Sequence, residues 1–182
     1  MAHIHTQPGQ HDHTACAFII RTDFKEPRML LHTHRLLHMY LQVGGHVELH
    51  ETPWATITHE VREESGYELS QLKLLQPPHA HFTYSDLEMI AHPIPFGFGT
   101  HRFGTADHFH TDTAFAFTTD QEPKHPPAAG ESQDFKLVTR QELVDLPEGS
   151  IPANVRAAGL YVFDHLYDTW EAVDPTQYKT SL

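Results

Sequence analysis

The most regular alternation of apolar and polar residues lies between Ala106 and Thr118, in the segment ADHFHTDTAFAFT. Successive side chains of a β-strand point to opposite faces of the sheet. The segment therefore predicts a strand with two different faces. One face would carry Phe109, Phe115 and Phe117, and the other His108, His110, Asp112, Ala114 and Ala116. We expect the phenylalanines to lie in the core, whereas three interpretations stay open for the His-x-His-x-Asp row: substrate contact, metal binding or a polar surface.

Shorter apolar runs predict further strands, at residues 14–21, 28–34, 38–42, 69–76, 82–90 and 135–138. The first two runs are joined by the turn-like segment TDFKEP and predict a hairpin. Two segments rich in proline and glycine, residues 91–105 and 120–130, predict long loops. The first is longer than a simple connection needs, so we expect it to contribute to binding.

A helix is predicted over residues 53–65, because its ends carry the residues that favour helix termini. Thr52 supplies a hydroxyl at the N-cap, Pro53 occupies the first helical position, and Gly66 can end the helix with a positive φ. The stripe that would pack on a sheet consists of Trp54, Ile57, Thr58, Val61 and Ser65. Residues 140–146 predict a short helix, and residues 153–170 predict a longer amphipathic one.

Three carboxylates, Glu60, Glu63 and Glu64, project from the neighbouring face of the predicted helix at 53–65. Like charges at these spacings repel, and a bound cation would compensate them. Hard oxygen ligands favour Mg²⁺ or Mn²⁺ over zinc. An acidic, solvent-exposed helix face is the alternative, and the carboxylates alone do not decide between the two. Before the helix, Gly44 and Gly45 predict a turn where the backbone can approach a ligand closely.

The spacing of residues 45–67 resembles the Nudix box, G-x5-E-x7-R-E-U-x-E-E-x-G-U, in which U is a bulky apolar residue. The chain matches this pattern at every defined position except one. The matching residues are Gly45, Glu51, Glu60, Val61, Glu63, Glu64, Gly66 and Tyr67. His59 stands where the pattern has arginine, and Val43, just before the box, stands where a proline is common.

The resemblance to Nudix hydrolases extends over about residues 13–170 and implies an α/β fold, an α/β/α sandwich with a mixed β-sheet. The implied activity is that of a metal-dependent pyrophosphohydrolase. Such an enzyme cleaves a pyrophosphate bond in a nucleoside diphosphate linked to another group, by attack of a water molecule that the metal activates. The implied cofactor is Mg²⁺ or Mn²⁺, and the implied partner is a small nucleotide or nucleotide derivative.

The resemblance also implies roles for single residues. Glu60, Glu63 and Glu64 would be catalytic and would bind the metal, with Glu60 and Glu64 as principal ligands. The carbonyl of Gly44 and the carboxylate of Glu131 would complete the metal site. Structural roles in the box fall to Gly45, Glu51, His59 and Gly66. Substrate binding is expected of His34, His110 and Asp112, and no residue is singled out as the general base.

His59 could weaken activity, because arginine at this position ties box residues together by ion pairing. A catalytically weak Nudix-fold protein that binds nucleotides or regulates another process is therefore the alternative function. Retention of Glu60, Glu63 and Glu64 favours the enzyme.

Composition narrows the remaining choices. A net charge of −12 at neutral pH argues against nucleic acid polymers as partners. The single Cys16 cannot form an internal disulfide, and no apolar run is long enough to cross a membrane, so we expect a cytoplasmic protein. We expect a flexible, His-rich arm at residues 1–13, one domain at 14–172 and a C-terminal tail at 173–182, as a monomer or homodimer.

Overall fold

A mixed β-sheet lies at the centre of the molecule in the computed structural model, which describes residues 7–79, 89–102 and 108–181. Its strands are β1 (His11–Arg21), β2 (Arg28–Thr33), β3 (Tyr40–Leu41), β4 (Val43–His46), β5 (Lys73–Gln76), β6 (Gly97–Arg102), β7 (Phe109–Thr119), β8 (Phe135–Val138) and β9 (Glu171–Val173). The order β3-β2-β1-β7-β5-β9 forms the main path, and β4, β6 and β8 pair with β1, β7 and β2. Strands β1 and β7 run parallel, whereas the other pairs are antiparallel.

Helices cover both faces of the sheet. They are α1 (Pro53–Ser65), α2 (Arg140–Asp145) and α3 (Ala153–Tyr161), and a π-helical turn at Val162–Leu166 follows α3. Helix α1 packs Trp54, Ile57 and Val61 into one hydrophobic cluster with side chains of β1 and β7. Helices α2 and α3 contribute to a second cluster on the opposite face. The predicted α/β/α sandwich with a mixed sheet is confirmed.

Helix α1 begins and ends at the residues that the sequence predicts. The Thr52 hydroxyl accepts a hydrogen bond from the N–H of Ala55 at 3.1 Å, and Pro53 is the first helical residue. Gly66 follows the helix with φ +76°, where an added Cβ would lie 1.8 Å from the carbonyl oxygen of His125. Glycine is therefore required at this position both by the backbone conformation and by the close approach of the segment around His125.

The predicted hairpin is also present, with Ile20 opposite Met29, and β8 pairs with β2 at the predicted residues. Other elements differ in extent. Residues 69–71 form a 3₁₀ turn before β5, and the predicted helix at 153–170 is a regular α-helix only as far as Tyr161. Phe115 and Phe117 are in the core, as expected, whereas Phe109 is only half-buried. The predicted strand at 82–90 falls largely on residues 80–88, which lie outside the described residues.

Two segments predicted as turn or loop are strands. Gly44 and Gly45 lie in β4, where an added Cβ on Gly44, at φ +147°, would meet the Ala15 carbonyl oxygen at 2.3 Å. The close approach that these glycines permit is therefore to the backbone of β1. Residues 97–102, predicted as part of a loop, form β6 because they pair along β7.

The two termini of the domain are more ordered than the sequence suggested. Strand β1 begins at His11, so that residues 11–13 pair with β7 and do not belong to the predicted arm. At the other end, Val173, the first residue of the predicted tail, pairs with Leu74 as part of β9, and the Trp54 indole N–H donates to the carbonyl of Tyr178 at 3.3 Å. A buried indole needs such a partner, which fixes this segment against α1. No helix in the described part of the chain is long and apolar enough to cross a membrane.

Candidate metal and substrate site

Glu60 and Glu64 lie one turn apart on α1, and each is only 4% exposed. One carboxylate oxygen of Glu64 accepts a hydrogen bond from the backbone N–H of Gly44 at 2.8 Å. Burial raises the pKa of Glu60 to about 7, and the negative charges of Glu63 and Glu131 add to this effect. Burial, followed by the charge of Glu60, also raises the pKa of Glu64 well above its usual value. The fold thus holds two adjacent carboxyl groups where their charged forms are disfavoured.

These carboxylates have few positive neighbours. Among the residues that the structure describes, the basic side chains within 4 Å of Glu60 and Glu64 are the imidazoles of His59 and His32, at 3.6 and 3.8 Å. Burial lowers the pKa of His32 to about 4, so that His32 is neutral at pH 7. A set of buried carboxylate oxygens with so little compensating charge has the donor chemistry that Mg²⁺ and Mn²⁺ prefer. The residues therefore fit a hard divalent cation.

His59 joins two of the box acids. Its Nδ1 lies 3.1 Å from Glu51 Oε1, and its Nε2 lies 3.6 Å from Glu60 Oε1. The other carboxylate oxygen of Glu51 accepts a hydrogen bond from the Thr56 hydroxyl at 3.0 Å. An imidazole thus bridges Glu51 and Glu60 at the position where the Nudix pattern has arginine. Unlike a guanidinium, it can pair ionically only when it is protonated.

The other expected metal ligands differ in their surroundings. Glu63 is exposed, whereas Glu131 is half-buried and its charge raises the pKa values of Glu60 and Glu64. Asp134 instead accepts a hydrogen bond from the Thr33 hydroxyl at 2.7 Å. Gly44 contacts Glu64 through its N–H, and this is the contact that ties β4 to the acidic face of α1.

A cavity of about 470 Å³ opens beside these acids. All three residues predicted to bind substrate, His34, His110 and Asp112, line this cavity, as do Gly44 and His32. Since Gly44 and His32 also contact Glu64, the acidic face of α1 adjoins the cavity. His110 is 8% exposed, so it does not point into bulk solvent.

An apolar cavity of about 340 Å³ continues the first one. The two share wall residues, among them Cys16, Asp112 and Val155. Phe96 and Phe98 belong to the second cavity, and Phe98 is 71% exposed although it is a large apolar residue. Together the two cavities form one cleft. The first cavity is its histidine-rich half, next to the acids, and the second cavity is its aromatic half, which includes residues of β6.

Asp112 is held in place at the junction of the two halves. Its carboxylate accepts a hydrogen bond from the Thr14 hydroxyl and lies 2.9 Å from His101 Nε2. His34 lies across the first cavity, where burial lowers its pKa while the charge of Glu131 opposes that shift. Imidazole nitrogens can donate hydrogen bonds to oxygens, so this wall suits a ligand with phosphate and hydroxyl oxygens.

Sequence reasoning missed several polar residues around the cavity. His32 and His46 lie in or next to predicted strands, and His101 lies in a predicted loop. Asp12 was assigned to the arm but is 1% exposed, behind His46 and His110. Among the described residues, the set that brings three potential metal-ligand atoms within 4.8 Å of one another consists of Asp12, His46 and His110. Alternation along β4 could have indicated His46, but its meeting with Asp12 depends on strand register.

The family model for the NUDIX domain matches residues 11–158 of the chain. The match includes the predicted box, both cavities and Glu131. Among curated proteins, no sequence matches this chain.

Several solved structures have the same fold. A hydrolase of the NUDIX family from Clostridium perfringens is 26% identical, with a TM-score of 0.68 over 84% of this chain and 96% of that chain. An Ap4A hydrolase from C. elegans is 16% identical, with a TM-score of 0.59 over 84% of this chain and 94% of that chain. The dihydroneopterin triphosphate pyrophosphohydrolase of E. coli is 17% identical, with a TM-score of 0.58 over 83% and 93%.

Proposed function

Because the chain belongs to the NUDIX family, we propose that it hydrolyses a pyrophosphate bond in a nucleoside diphosphate linked to another group. The observation that carries this proposal is the buried pair Glu60 and Glu64, with raised pKa values, beside a histidine-lined cavity. Carboxyl groups whose charge is so disfavoured are common where an enzyme binds a cation or moves a proton.

Glu60 and Glu64, with Glu63 and Glu131 next to them, would hold Mg²⁺ or Mn²⁺. When bound, such a cation supplies positive charge to the pyrophosphate oxygens and lowers the pKa of water. The chain itself fixes the position of these acids, because the Gly44 N–H holds Glu64 and the His59 imidazole lies between Glu51 and Glu60. Attack on phosphorus depends mainly on position and charge, which rigid buried carboxylates provide.

The cleft would bind the two parts of the substrate in its two halves. His34 and His110 would donate hydrogen bonds to phosphate oxygens in the histidine-rich half, and Asp112 would accept one from a hydroxyl group. In the aromatic half, Phe98 offers an exposed ring on which a flat base can stack. A substrate with one anionic and one aromatic part fits this division.

The solved relatives support the same class of substrate. The C. elegans structure is of a hydrolase of Ap4A, and the E. coli structure is of a pyrophosphohydrolase of dihydroneopterin triphosphate. Both compounds contain phosphoanhydride bonds and, elsewhere in the molecule, a heterocyclic ring system. We propose that the substrate of this protein is a compound of this class. We further propose that the protein acts as a monomer or homodimer in the cytoplasm.

The test is a panel of nucleotides, dinucleoside polyphosphates and nucleotide sugars, incubated with Mg²⁺ or Mn²⁺ and scored for phosphate-containing products. At least one member should be cleaved at an anhydride bond. Glu64→Gln should lower kcat at least about a hundredfold, since removal of one group that stabilises transition-state charge costs about 10²–10³ in kcat. Glu148→Gln, at an exposed position, is the matched control and should behave as wild type.

A catalytically weak, nucleotide-binding protein is the second candidate, because His59 replaces the arginine of the box. The same panel separates the two functions when binding is measured beside turnover. Tight binding of a nucleotide with no cleavage of any member would support the second candidate. Equal turnover by wild type and Glu64→Gln would contradict the metal assignment.

A further inference from the structure

A second cluster of potential metal ligands lies apart from the acids of α1. It consists of Asp12, His46 and His110, and one ligand atom from each residue lies within 4.8 Å of the others. Asp12 is 1% exposed and His110 8%, and the side chain of His46 is 11% exposed. Three potential ligands from three different strands are thus gathered in a largely buried position.

Strand register explains why these residues meet. Asp12 on β1 lies opposite His110 on the parallel strand β7. His46 on β4 lies opposite Thr14, two residues along β1 from Asp12 and therefore on the same face. That face also carries Phe18 and Ile20, which pack with α2 and α3. Glu60 and Glu64 belong to α1, and neither of them is a member of the cluster.

The distances from the Asp12 carboxylate to two neighbouring imidazoles, those of His46 and His108, suit metal ligands. His46 Nε2 lies 3.5 Å from Asp12 Oδ2, and His108 Nε2 lies 3.3 Å from the same oxygen. These separations are close to the roughly 3.3 Å between two ligands of a tetrahedral ion whose own bonds are about 2.0–2.1 Å long.

The donor chemistry differs from that of the acids on α1. Two imidazole nitrogens and one carboxylate oxygen suit borderline ions such as Zn²⁺, Co²⁺ and Ni²⁺, whereas Mg²⁺ prefers oxygen ligands alone. His46 and His110 also line the large cavity, while Asp12 lies behind them. An ion held by this set would face the cavity with at least one coordination position, as in zinc sites with three protein ligands.

We propose that Asp12, His46 and His110 form a binding site for a divalent transition-metal ion of the zinc class, on the wall of the cavity that the acidic face of α1 adjoins. His108, in contact with Asp12, is a further imidazole that can join the set or orient the carboxylate. No acid of α1 belongs to this site, and it shares His110 with the proposed substrate site.

The test is a titration of metal-stripped protein with Co²⁺, followed by visible absorption, and then displacement by Zn²⁺. The parent protein for this experiment carries His3→Gln and His5→Gln, so that histidines near the N-terminus do not compete for the ion. We expect one Co²⁺ per chain with the intense absorption of low coordination number. Zn²⁺ should displace it, and millimolar Mg²⁺ should not.

Variants then locate the site. His46→Asn and His110→Asn should each weaken Zn²⁺ binding at least about a hundredfold, the upper end of the loss caused by removing an outer-shell partner. Two controls should bind Zn²⁺ like the parent: His125→Gln, which removes an exposed histidine paired with Glu68, and Glu64→Gln. Loss of Zn²⁺ binding in Glu64→Gln with retention in His46→Asn would place the ion at α1 and overturn the proposal.

A parent protein that binds no Co²⁺ or Zn²⁺ at micromolar concentration would also overturn it, and would identify the cluster as a hydrogen-bonded network. Circular dichroism of each metal-free variant shows whether it folds. If a variant does not fold, the zinc K-edge spectrum of the parent protein with bound Zn²⁺ shows which atoms coordinate the ion. Two or three imidazoles with one or two oxygens support the proposed site. A shell of oxygens alone contradicts it.

Discussion

At Glu60, two opposite influences act on one carboxyl group. Burial raises its pKa to about 7, whereas the adjacent His59 lowers it. The balance depends on an imidazole, which pairs ionically only when it is protonated, and not on a guanidinium that stays charged. The replacement of arginine by histidine in the box therefore makes the ion pairing of Glu60 depend on the protonation of a neighbouring side chain.

The pH profile of His59→Arg should reveal this dependence. A guanidinium keeps its charge at alkaline pH, so its pairing with Glu51 and Glu60 should persist there. An interaction of about 1 kcal/mol corresponds to roughly a fivefold higher kcat/KM on the alkaline side. The measurement is kcat/KM against pH at saturating Mg²⁺. The control is His59→Gln, which is neutral at every pH and should show no such gain. Superimposable pH profiles for wild type and His59→Arg would show that His59 does not influence the pH dependence of activity.

A second pair of substitutions separates Glu131 from Asp134. Glu131 raises the pKa values of Glu60 and Glu64 through its charge, whereas Asp134 is hydrogen-bonded to Thr33. We therefore expect Glu131→Gln to weaken Mg²⁺ binding about tenfold, in the range seen when a residue that supports a metal site is lost. Asp134→Asn should leave the Mg²⁺ affinity within about twofold. Isothermal titration of both variants checks this, and the reverse order would assign the extra acid to Asp134.

At the scale of elements, the loop between β7 and β8 is anchored on the end of α1. The N–H of His125 donates to the carbonyl of Gly66 at 3.1 Å, and the N–H of Ala128 donates to that of Glu63 at 2.7 Å. The Glu63 carbonyl lies in the last turn of the helix and the Gly66 carbonyl follows it, and neither position has a hydrogen-bond partner within the helix. The anchoring explains how Glu131, far from the box in sequence, lies near its acids.

Gly66→Ala should disturb this anchoring. Its Cβ would lie 1.8 Å from the His125 carbonyl oxygen, at a φ of +76° that alanine disfavours. We expect a loss of stability of roughly 2–4 kcal/mol, from overpacking and backbone strain together, and weaker Mg²⁺ binding. Gly149→Ala is the matched control, because Gly149 has φ +80° but no atom within 4 Å of the added Cβ. It should lose only about 1 kcal/mol and bind Mg²⁺ normally. Thermal unfolding and metal titration measure both effects. Equal losses of stability in Gly66→Ala and Gly149→Ala would show that the loop around His125 can move aside at little cost.

The sequence predicts local elements well and long-range register poorly. Helix α1 follows from Thr52, Pro53 and Gly66, because capping is chemistry between near neighbours in the chain. In contrast, Gly44 is a strand residue only because β4 pairs with β1, and Asp12 meets His46 only through that same pairing. Local propensity contains no information about which strands pair, so these parts of the site could not be predicted from one sequence.

For the whole molecule, the buried acids that favour cation binding also reduce the stability of the fold when no cation is bound. The chain has 24 acidic and 12 basic residues, and it buries two of the acids side by side. In the absence of a cation these carboxyl groups oppose folding once they are ionised, since a buried charge without a full partner is costly. A bound cation reverses this, because it binds the folded state and its deprotonated carboxylates. Stability and metal binding should therefore be linked through pH.

The raised pKa of Glu60 determines how stability should change with pH. Glu60 has a pKa of about 7 in the folded protein and about 4.5 when it is unperturbed. Between pH 4.5 and pH 7, the folded state therefore keeps a proton on Glu60 that the unfolded state has lost. The contribution of Glu60 to stability is therefore full below about pH 4.5 and falls as the pH rises to about 7. Glu60→Gln removes the titrating group. In metal-free protein we expect the melting temperature of this variant, relative to wild type, to rise between pH 5 and pH 8. A gain of about 1 kcal/mol corresponds to roughly 2–4 °C for a domain of this size.

Saturating Mg²⁺ should cancel or reverse this difference, because wild type gains binding energy that Glu60→Gln has largely lost. Comparison of the two proteins at each pH removes the contribution of the eighteen histidines and of the overall negative charge, which are common to both. Glu148→Gln, which removes an exposed carboxylate, controls for the change in net charge. If the difference between Glu60→Gln and wild type stays constant from pH 5 to pH 8, Glu60 does not titrate in this range and the link between its burial and metal binding is wrong.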